Sequence, residues 1–352
     1  MNRSAAWEPV CPVVHAGGGA VVTLAHGEGG LLSRRLIQER IVPALEGINL
    51  DSTADAALLP VSDCRLAMTT DSFVVTPLFF PGGDIGSLAV FGTANDLAVV
   101  GARPRWLSLS FILEEGLELS ILDRVLASIA AAARNAEVSI VTGDTKVVPR
   151  GAVDQLFINT SGVGEVLDPA PTGPATLQVG DVLLVSGPIA QHGIAVLEAR
   201  EEFGFDPTPS SDCALLWPCI EALYRAGIRP RALRDATRGG VAAVLHEWAA
   251  ASKRSLVIDE FAVPMLPTIR AACELLGLDP LHIANEGTLV AALPSEQVAP
   301  ALSALSRLPA YARAAVIGRV EAANGTPVAV RRALGRLQPL DEPLGAPLPR
   351  IC

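Results

Sequence analysis

Hydrophobic and polar residues alternate along the chain with two periods, which predict a mixture of strands and helices. Short apolar runs bounded by turn-forming residues are typical of strands, and they occupy residues 66–70, 154–158 and 180–187. Apolar residues spaced three and four apart indicate helices. That spacing recurs at 121–136, 190–202, 212–226, 239–252 and 295–306. Because both halves of the chain mix the two patterns, we expect an α/β or α+β fold throughout.

A proline-rich segment at 168–174 separates the two halves. Proline stops helices and central strands, so this segment predicts a linker. The chain has 352 residues, and single cores stop growing at roughly 250–300 residues. We therefore predict an N-terminal domain at 1–168 and a C-terminal domain at 175–338.

The last fourteen residues, 339–352, contain four prolines and end in Cys352. Such a tail cannot be helical, and at roughly 3.1 Å per residue an extended tail spans about 40 Å. The sequence therefore predicts a mobile arm that carries a thiol at its tip. A disordered end without a function is the alternative interpretation.

Composition narrows the possible classes of function. The net charge is −10 and the longest basic run is a pair, whereas a nucleic-acid-binding protein needs clustered cations. No stretch reaches the ~18 apolar residues of a membrane span, and no signal peptide is recognisable. We therefore expect a soluble, cytoplasmic protein. Six scattered cysteines without a CxxC pair favour neither a disulfide framework nor a zinc site.

Acidic residues lie next to predicted strand ends and glycine turns in the first domain. They are Asp55, Asp71, Asp84, Asp96 and Asp144, and Asn95 precedes Asp96. Oxygen ligands gathered around nucleotide phosphates are the usual way to hold Mg²⁺. A single Asp is more often a turn or cap residue. Asp96 differs, because it lies in the mostly apolar stretch 88–101, where an unpaired carboxylate is costly.

Two motifs of the second domain also combine acids with glycines. Asp235, Thr237 and Arg238 lead through two glycines into a predicted helix, and a helix N-terminus suits an anion. An ordinary capping turn is the alternative there. Glu286 lies in Asn285-Glu286-Gly287, just before an apolar run that predicts a strand.

Eight segments, in order along the chain, resemble the HypE family of hydrogenase maturation factors. The family belongs to an ATP-binding superfamily that includes aminoimidazole ribonucleotide synthetase. The segments are 26–30, 70–73, 79–86, 92–97, 143–146, 237–240, 285–287 and the terminal Pro-Arg-Ile-Cys at 349–352. The nucleotide motifs are shared by the superfamily, and the terminal four residues point to HypE. Glu28 departs from the pattern, which has a small residue there, and the resemblance assigns no role to residues 1–20.

The resemblance implies an N-terminal α/β domain whose strands pair with those of a second subunit, and a C-terminal α/β domain. It also implies that ATP and Mg²⁺ lie in the cleft between the domains. The matching positions for phosphate and metal ligands are Asp55, Asp71, Asn95, Asp96 and Asp144, of which the four aspartates are the metal ligands. Asp235, Thr237 and Arg238 match positions that contact phosphate or the tail.

The activity implied by the resemblance is ATP-dependent dehydration of a carbamoyl group on the sulfur of Cys352. The product is a thiocyanate, which supplies cyanide ligands to the iron of [NiFe]-hydrogenase. Glu286 would be the base, and Lys146 would stabilise the activated oxygen or phosphate. On a strand, Lys146 shares a face with Asp144, two residues earlier. The implied partners are a HypF-like carbamoyltransferase, an iron-carrying HypC–HypD-like complex, and a second copy of the chain.

Two other functions fit the same motifs. A synthetase acting on a free small substrate, such as selenophosphate or a purine precursor, would not need Cys352. A selenophosphate synthetase would also carry a cysteine near its first glycine loop, and Cys11 lies upstream of that loop. A non-catalytic scaffold would bind ATP without cysteine-dependent phosphate release.

Overall fold

The computed structural model describes residues 30–36, 38–39, 57–60, 65–332, 335–345, 348 and 350–352. Two sheets dominate these residues, one on each side of the linker, and together with the helices they form an α/β fold of two domains. The N-terminal sheet has the strand order β1-β2-β7-β5-β6. Its strands are β1 (Ala57–Pro60), β2 (Arg65–Phe73), β5 (Ala102–Glu114), β6 (Ser139–Val148) and β7 (Leu156–Val166). Neighbours are antiparallel except β5 and β6, which are parallel.

A small hairpin of β3 (Phe79–Phe80) and β4 (Gly83–Asp84) leads into the central helix of this domain, α2 (Ile85–Val99). Asp84 caps α2, because its Oδ1 accepts from the backbone of Gly86 at 2.7 Å and Ser87 at 3.0 Å. Residues on all sides of α2 are buried. The helix lies between the N-terminal sheet and the C-terminal domain, as its continuous apolar sequence requires.

Two further helices lie in the described residues of the N-terminal part. The short helix α1 is Gly30–Leu36, and the helix α3 is Leu119–Ala136. Helix α3 is amphipathic: its buried residues, which include Val125, Ile129 and Ala133, recur at helical spacing and face α2. The helix predicted at 121–136 is thus confirmed, with its first residue at Leu119.

The C-terminal sheet has seven strands in the order β14-β13-β10-β12-β8-β11-β9. They are β8 (Val182–Val185), β9 (Ala232–Asp235), β10 (Ser255–Asp259), β11 (Leu289–Leu293), β12 (Ala315–Glu321), β13 (Val328–Arg331) and β14 (Leu337–Pro339). Every residue of β11 is buried, with Val290 and Ala292 in one core and Leu289 and Leu293 in another. Since successive side chains point to opposite faces, this sheet is covered on both sides.

Five helices cover that sheet. They are α4 (Gln191–Glu201), α5 (Trp217–Arg225), α6 (Gly240–Ser252), α7 (Pro267–Leu276) and α8 (Val298–Leu305). No helix of the described segments has both the length and the apolar content needed to cross a membrane.

The prediction that a helix begins at residue 212 is wrong, although most of the helix predicted at 212–226 is present. Helix α5 begins at Trp217, because the ring of Pro218 would clash with the carbonyl of residue 214 in a longer helix. Residues 212–216 are instead an irregular segment beside the domain boundary. The strand predicted at 154–158 is β7, which begins at Leu156 and continues eight residues beyond the prediction to Val166. The other predicted strands and helices are present with shifts of a few residues at their ends.

The predicted tail also differs from expectation at both of its ends. Its first residue, Pro339, belongs to β14, which pairs with β13 in the C-terminal sheet. At the other end, residues 350–352 pack on the N-terminal domain, with Ile351 only 2% exposed. The described tail is non-helical, as predicted, but it is docked at its tip.

Asn95 joins the two domains at the middle of α2. Its Nδ2 donates to the carbonyl of Ala214 at 2.9 Å and of Glu286 at 3.2 Å, and its Oδ1 accepts from the backbone of Leu216 at 2.7 Å. The side chain is 1% exposed, so its two amide protons are satisfied inside the protein. Asn95 therefore fixes α2 against the segment that carries Glu286.

Candidate active site

Asp71 and Asp96 form the N-terminal side of the site. Asp71 lies on β2 and Asp96 on α2, which packs across that strand. The two carboxyl groups are within hydrogen-bond reach of each other, and Thr69 donates to Oδ2 of Asp96 at 2.9 Å. Burial raises the pKa of Asp71, whereas the charge of Arg238 and the contact with Asp96 lower it. Two neighbouring carboxyl groups need a shared proton or a cation, so this pair is suited to a positive ligand.

The turn after β9 forms the opposite side. Asp235 is the last residue of β9, and Thr237 and Arg238 follow it before α6. Gly239 and Gly240 both have positive φ, 78° and 61°. A Cβ on Gly240 would lie 2.6 Å from the carbonyl oxygens of Leu281 and Ile283, so only glycine fits this tight turn. The turn presents the exposed Arg238 and the N-terminus of α6 to the cleft.

Glu286 lies on a rigid turn between the two domains. Asp212 accepts from the backbone N–H of Glu286 and Gly287, each at 3.1 Å, and from the hydroxyl of Thr288 at 2.9 Å. A Cβ on Gly287 would lie 1.8 Å from the carbonyl oxygen of Asp212. The neighbouring Asn285 accepts from the backbone of Ala190 at 2.7 Å. Glycine is thus required for the close approach, and Asp212 fixes the conformation of the turn.

The Glu286 side chain is buried among like charges. Burial raises its pKa well above the ordinary value, and the charges of Asp235, Asp212 and Asp71 raise it further, whereas Arg238 lowers it. Its Oε1 is buried without a hydrogen-bond partner among the described residues. Such a group is costly unless a ligand completes it, and a carboxylate with a raised pKa is suited to accept a proton.

Asp235 shares this environment. It is 6% exposed, and burial raises its pKa to about 6, with Arg234 opposing the shift and Asp71 adding to it. The structure therefore brings together four acids from both domains, which we call the carboxylate cluster: Asp71, Asp212, Asp235 and Glu286.

The tip of the tail lies beside this cluster. A backbone carboxylate oxygen of Cys352 accepts from Val74 N at 3.1 Å, and the carbonyl of Arg350 accepts from Thr76 N at 3.2 Å. The tip thus pairs antiparallel with the chain that continues from β2, the strand of Asp71. Arg350 also forms an ion pair with Asp154 at 2.7 Å. Cys352 is half-buried there and packs against the core.

Asp144 and Lys146 lie elsewhere. They are exposed on the edge strand β6, 3.6 Å from each other. The strand register places Asp144 opposite Ser110, whereas Asp71 aligns through Thr160 and Leu109 with Gly143. Asp71 and Asp144 therefore point to opposite faces of the sheet, three strands and about 14 Å apart. The expectation that both bind one ion is not met within a single chain.

The remaining expected ligands have mixed outcomes. Asp96, Thr237 and Arg238 lie at the cleft, as described above. Asn95 is not presented to a ligand, because it is buried and bridges the domains. Asp55, with Glu28 and the first glycine loop, lies outside the described residues.

Sequence reasoning missed Asp212 and the residues that hold the tail tip. Asp212 is the first residue of the helix predicted at 212–226, so the pattern gave no sign that it binds the turn of Glu286. His192, Arg200 and Asp154 are single polar residues, and no local motif marks them. The signal that could have found Asp212 was Pro218, which forbids a helix that begins at 212.

Known families match most of the chain. Residues 53–166 match the model of the AIR synthase related protein N-terminal domain, and residues 178–331 match that of the C-terminal domain. The carbamoyl dehydratase HypE of Escherichia coli (strain K12) is 49% identical over 337 residues, which cover 94% of this chain and 99% of that protein.

Two solved structures are similar over nearly their whole lengths. A structure of a HypE–HypF complex superposes with a TM-score of 0.81 at 42% identity, covering 88% of this chain and 99% of that one. A structure of the hydrogenase maturation protein HypE in complex with ATP gives a TM-score of 0.76 at 46% identity, covering 94% and 100%. The chain therefore belongs to the HypE family of carbamoyl dehydratases, within the AIR synthase related proteins.

Proposed function

We propose that this protein is an ATP-dependent carbamoyl dehydratase that converts a carbamoyl group on the sulfur of Cys352 into a thiocyanate for hydrogenase maturation. The observation that carries the proposal is the position of the tail tip. Cys352 is held by Val74, three residues and about 10 Å along the strand from Asp71. A terminal thiol is thus held close to the carboxylate cluster.

The reaction needs an activated oxygen, because the carbonyl oxygen of a thiocarbamate is a poor leaving group. That oxygen attacks the γ-phosphorus of ATP, and the bond from γ-phosphorus to ADP breaks. Two N–H protons then leave the nitrogen, the C–O bond breaks, and the oxygen departs with phosphate. The balance is thiocarbamate plus ATP giving thiocyanate, ADP, phosphate and a proton.

Glu286 is the base that takes a proton from the nitrogen. Its buried Oε1 lacks a partner among the described residues, and its pKa is raised by burial and by its neighbours. Arg238, the turn at Thr237 and the N-terminus of α6 bind the phosphates, because free backbone N–H groups and a cation favour an anion there.

The N-terminal acids fit a bound Mg²⁺. Throughout the described segments, no three His, Cys, Asp or Glu side chains converge closely enough to hold a metal by themselves. Mg²⁺ bound with a nucleotide needs only one or two carboxylates, since phosphates and water fill the other positions. The Asp71–Asp96 pair offers such a set. When bound, Mg²⁺ neutralises charge on the phosphates.

Asp144 and Lys146 are assigned to a site that a second copy of the chain completes. Their sheet face also exposes apolar side chains, including Met68 at 43% and Trp106 at 41%. An open apolar sheet face of this kind favours burial against a partner. A homodimer would bury this face and bring Lys146 near the cleft of the other chain.

The upstream and downstream partners follow from the chemistry. A carbamoyltransferase must load Cys352, and the solved HypE–HypF complex supports a HypF-like protein in that role. An iron-carrying HypC–HypD-like complex would accept the cyanide. We place these steps in the cytoplasm.

The base assignment predicts a specific loss of activity in Glu286→Gln. We expect dehydration of the pre-carbamoylated chain to fall at least about 100-fold, because the proton acceptor is removed. Loading of Cys352 should be unchanged. Single-turnover mass spectrometry of the intact chain measures both steps.

Glu198→Gln is the matched control. Oε2 of Glu198 is also buried without a partner within the described part of the chain, but Glu198 lies outside the carboxylate cluster. If both variants lost dehydration activity equally, the loss would follow from changing any buried glutamate. That result would contradict the assignment of Glu286 as the base.

The dimer assignment predicts complementation between two inactive chains. A Lys146→Ala chain mixed with a Glu286→Gln chain forms heterodimers in which one site keeps both residues. With random pairing, we expect about a quarter of the wild-type activity. If Lys146 and Glu286 of the same chain formed one site, no mixture would recover activity.

The pKa of Asp235 predicts a pH-dependent stability change. Its pKa is about 6 in the folded chain, above its ordinary value, so folding favours the protonated form. Below about pH 4 the group is protonated in both the folded and the unfolded chain, and burial does not oppose folding. The free energy of unfolding then falls as the pH rises from about 4 through 6. Asp235→Asn should therefore raise the free energy of unfolding at pH 7.5, by on the order of 3 kcal/mol, and change it little at pH 4. Denaturant unfolding at the two pH values measures this, and equal effects at both would contradict it.

A further inference from the structure

Each histidine that the structure describes holds a backbone carbonyl of the C-terminal segment. Nε2 of His246 contacts the carbonyl oxygen of Leu340 at 2.9 Å, and Nε2 of His282 contacts that of Asp341 at 3.0 Å. Nε2 of His192 contacts that of Ile351 at 2.6 Å. Because a carbonyl only accepts, each imidazole donates from Nε2. The contacts lie at two places, the start of the tail and its tip.

The first two contacts fix the start of the tail. Leu340 is 5% exposed, and it follows β14 directly in the C-terminal sheet. Glu342 adds an ion pair with Arg34 at 2.5 Å. Pro343 is held as well, because its carbonyl accepts from Leu31 N at 3.0 Å. The part able to swing therefore begins after Pro343, and the nine residues 344–352 still span about 28 Å when extended.

The tip contact is built differently. His192 is fully buried, and its ring packs edge-on against Phe80 at 5.3 Å between centroids. Ser211 receives an N–H from Cys213 at 3.0 Å and donates its hydroxyl proton to Nδ1 of His192, 2.8 Å away. This order of donors fixes the neutral tautomer with its proton on Nε2, which points at Ile351. Burial lowers the pKa of His192, which favours the same neutral form.

The same short segment also holds the proposed base. Asp212 lies between Ser211 and Cys213, and it fixes the turn of Glu286 through the two backbone N–H groups and Thr288. Ser211 is itself anchored to the N-terminal domain by Pro81, whose carbonyl accepts from its N–H at 2.8 Å. Ser211, which orients His192, and Asp212, which holds Glu286, are thus consecutive residues.

We propose that His192, oriented by Ser211, is a positioning residue that latches the tip of the tail in the cleft, while His246 and His282 fix its start. The role in catalysis rests on the proposed function above. The latch itself is a property of the chain alone: losing the bond to Ile351 weakens the docking of the tip, which carries Cys352, without loosening the start of the tail.

The test is the rate at which iodoacetamide alkylates Cys352 in the full-length chain, without ATP or a partner. The Asp-N peptide 341–352 isolates this thiol from the other cysteines for mass spectrometry. Cys352 is half-buried when the tail is docked, so undocking exposes the thiol further and the alkylation rate rises with the undocked fraction. His192→Leu should speed it about fivefold, because one buried hydrogen bond is lost. His192→Gln, which retains a donor, should restore most of the wild-type rate.

His282→Leu is the matched control, since it removes the same kind of bond at the start of the tail, and its rate should stay within about twofold of the wild type. Ser211→Ala keeps the imidazole and should still accelerate alkylation severalfold. Unchanged rates in both His192→Leu and Ser211→Ala would overturn the latch, as would an equal acceleration in His282→Leu. Because no carbamoyl chemistry is involved, the result does not depend on whether the proposed reaction is correct.

Discussion

Repulsion among the carboxylate cluster is the constraint on which the site depends. Asp71 comes from the N-terminal sheet, and Asp212, Asp235 and Glu286 come from the C-terminal domain. Each of these charges raises the cost of ionising Glu286. The fold maintains this arrangement because Asn95 and Asp212 fix the segments on either side with buried or partly buried hydrogen bonds. A cation bound with a nucleotide would relieve the repulsion, so the cluster favours a positively charged ligand.

The tail brings the substrate carrier to this place by backbone recognition. Val74, Thr76, His192 and Arg200 all contact backbone atoms of the tip or the chain beside it, and Arg200 donates to the carbonyls of both Thr76 and Arg350 at 2.9 Å. The ion pair of Arg350 with Asp154 adds a side-chain contact. All of these contacts involve the backbone of the tip or Arg350, so they can form whether the sulfur of Cys352 is bare or carries a small group.

Local sequence patterns predicted most of the fold, since the strand at 66–70 and the helix at 121–136 each follow a clear period. The motif around Asp235 and Arg238 also predicted a helix directly after its two glycines, and α6 begins at Gly240. The sequence did not show which residues from distant segments come together in the fold. The residue of β6 that aligns with Asp71 is Gly143, one residue before Asp144. Because successive residues of a strand point to opposite faces of the sheet, this difference of one residue places Asp144 on the face opposite Asp71. Asp212 and His192 act through partners 74 to 159 residues away, and no spacing within one segment reveals such contacts.

The central claim is that the sulfur of Cys352 carries the reacting group. The most direct measurement is the intact mass of the full-length chain after incubation with a carbamoylating partner, before and after ATP is added. We expect the chain to gain one carbamoyl group and then to lose one water only with ATP, and a chain lacking Cys352 to show neither change. Thiocyanate formation and phosphate release at the wild-type rate by the chain that ends at Ile351 would contradict it.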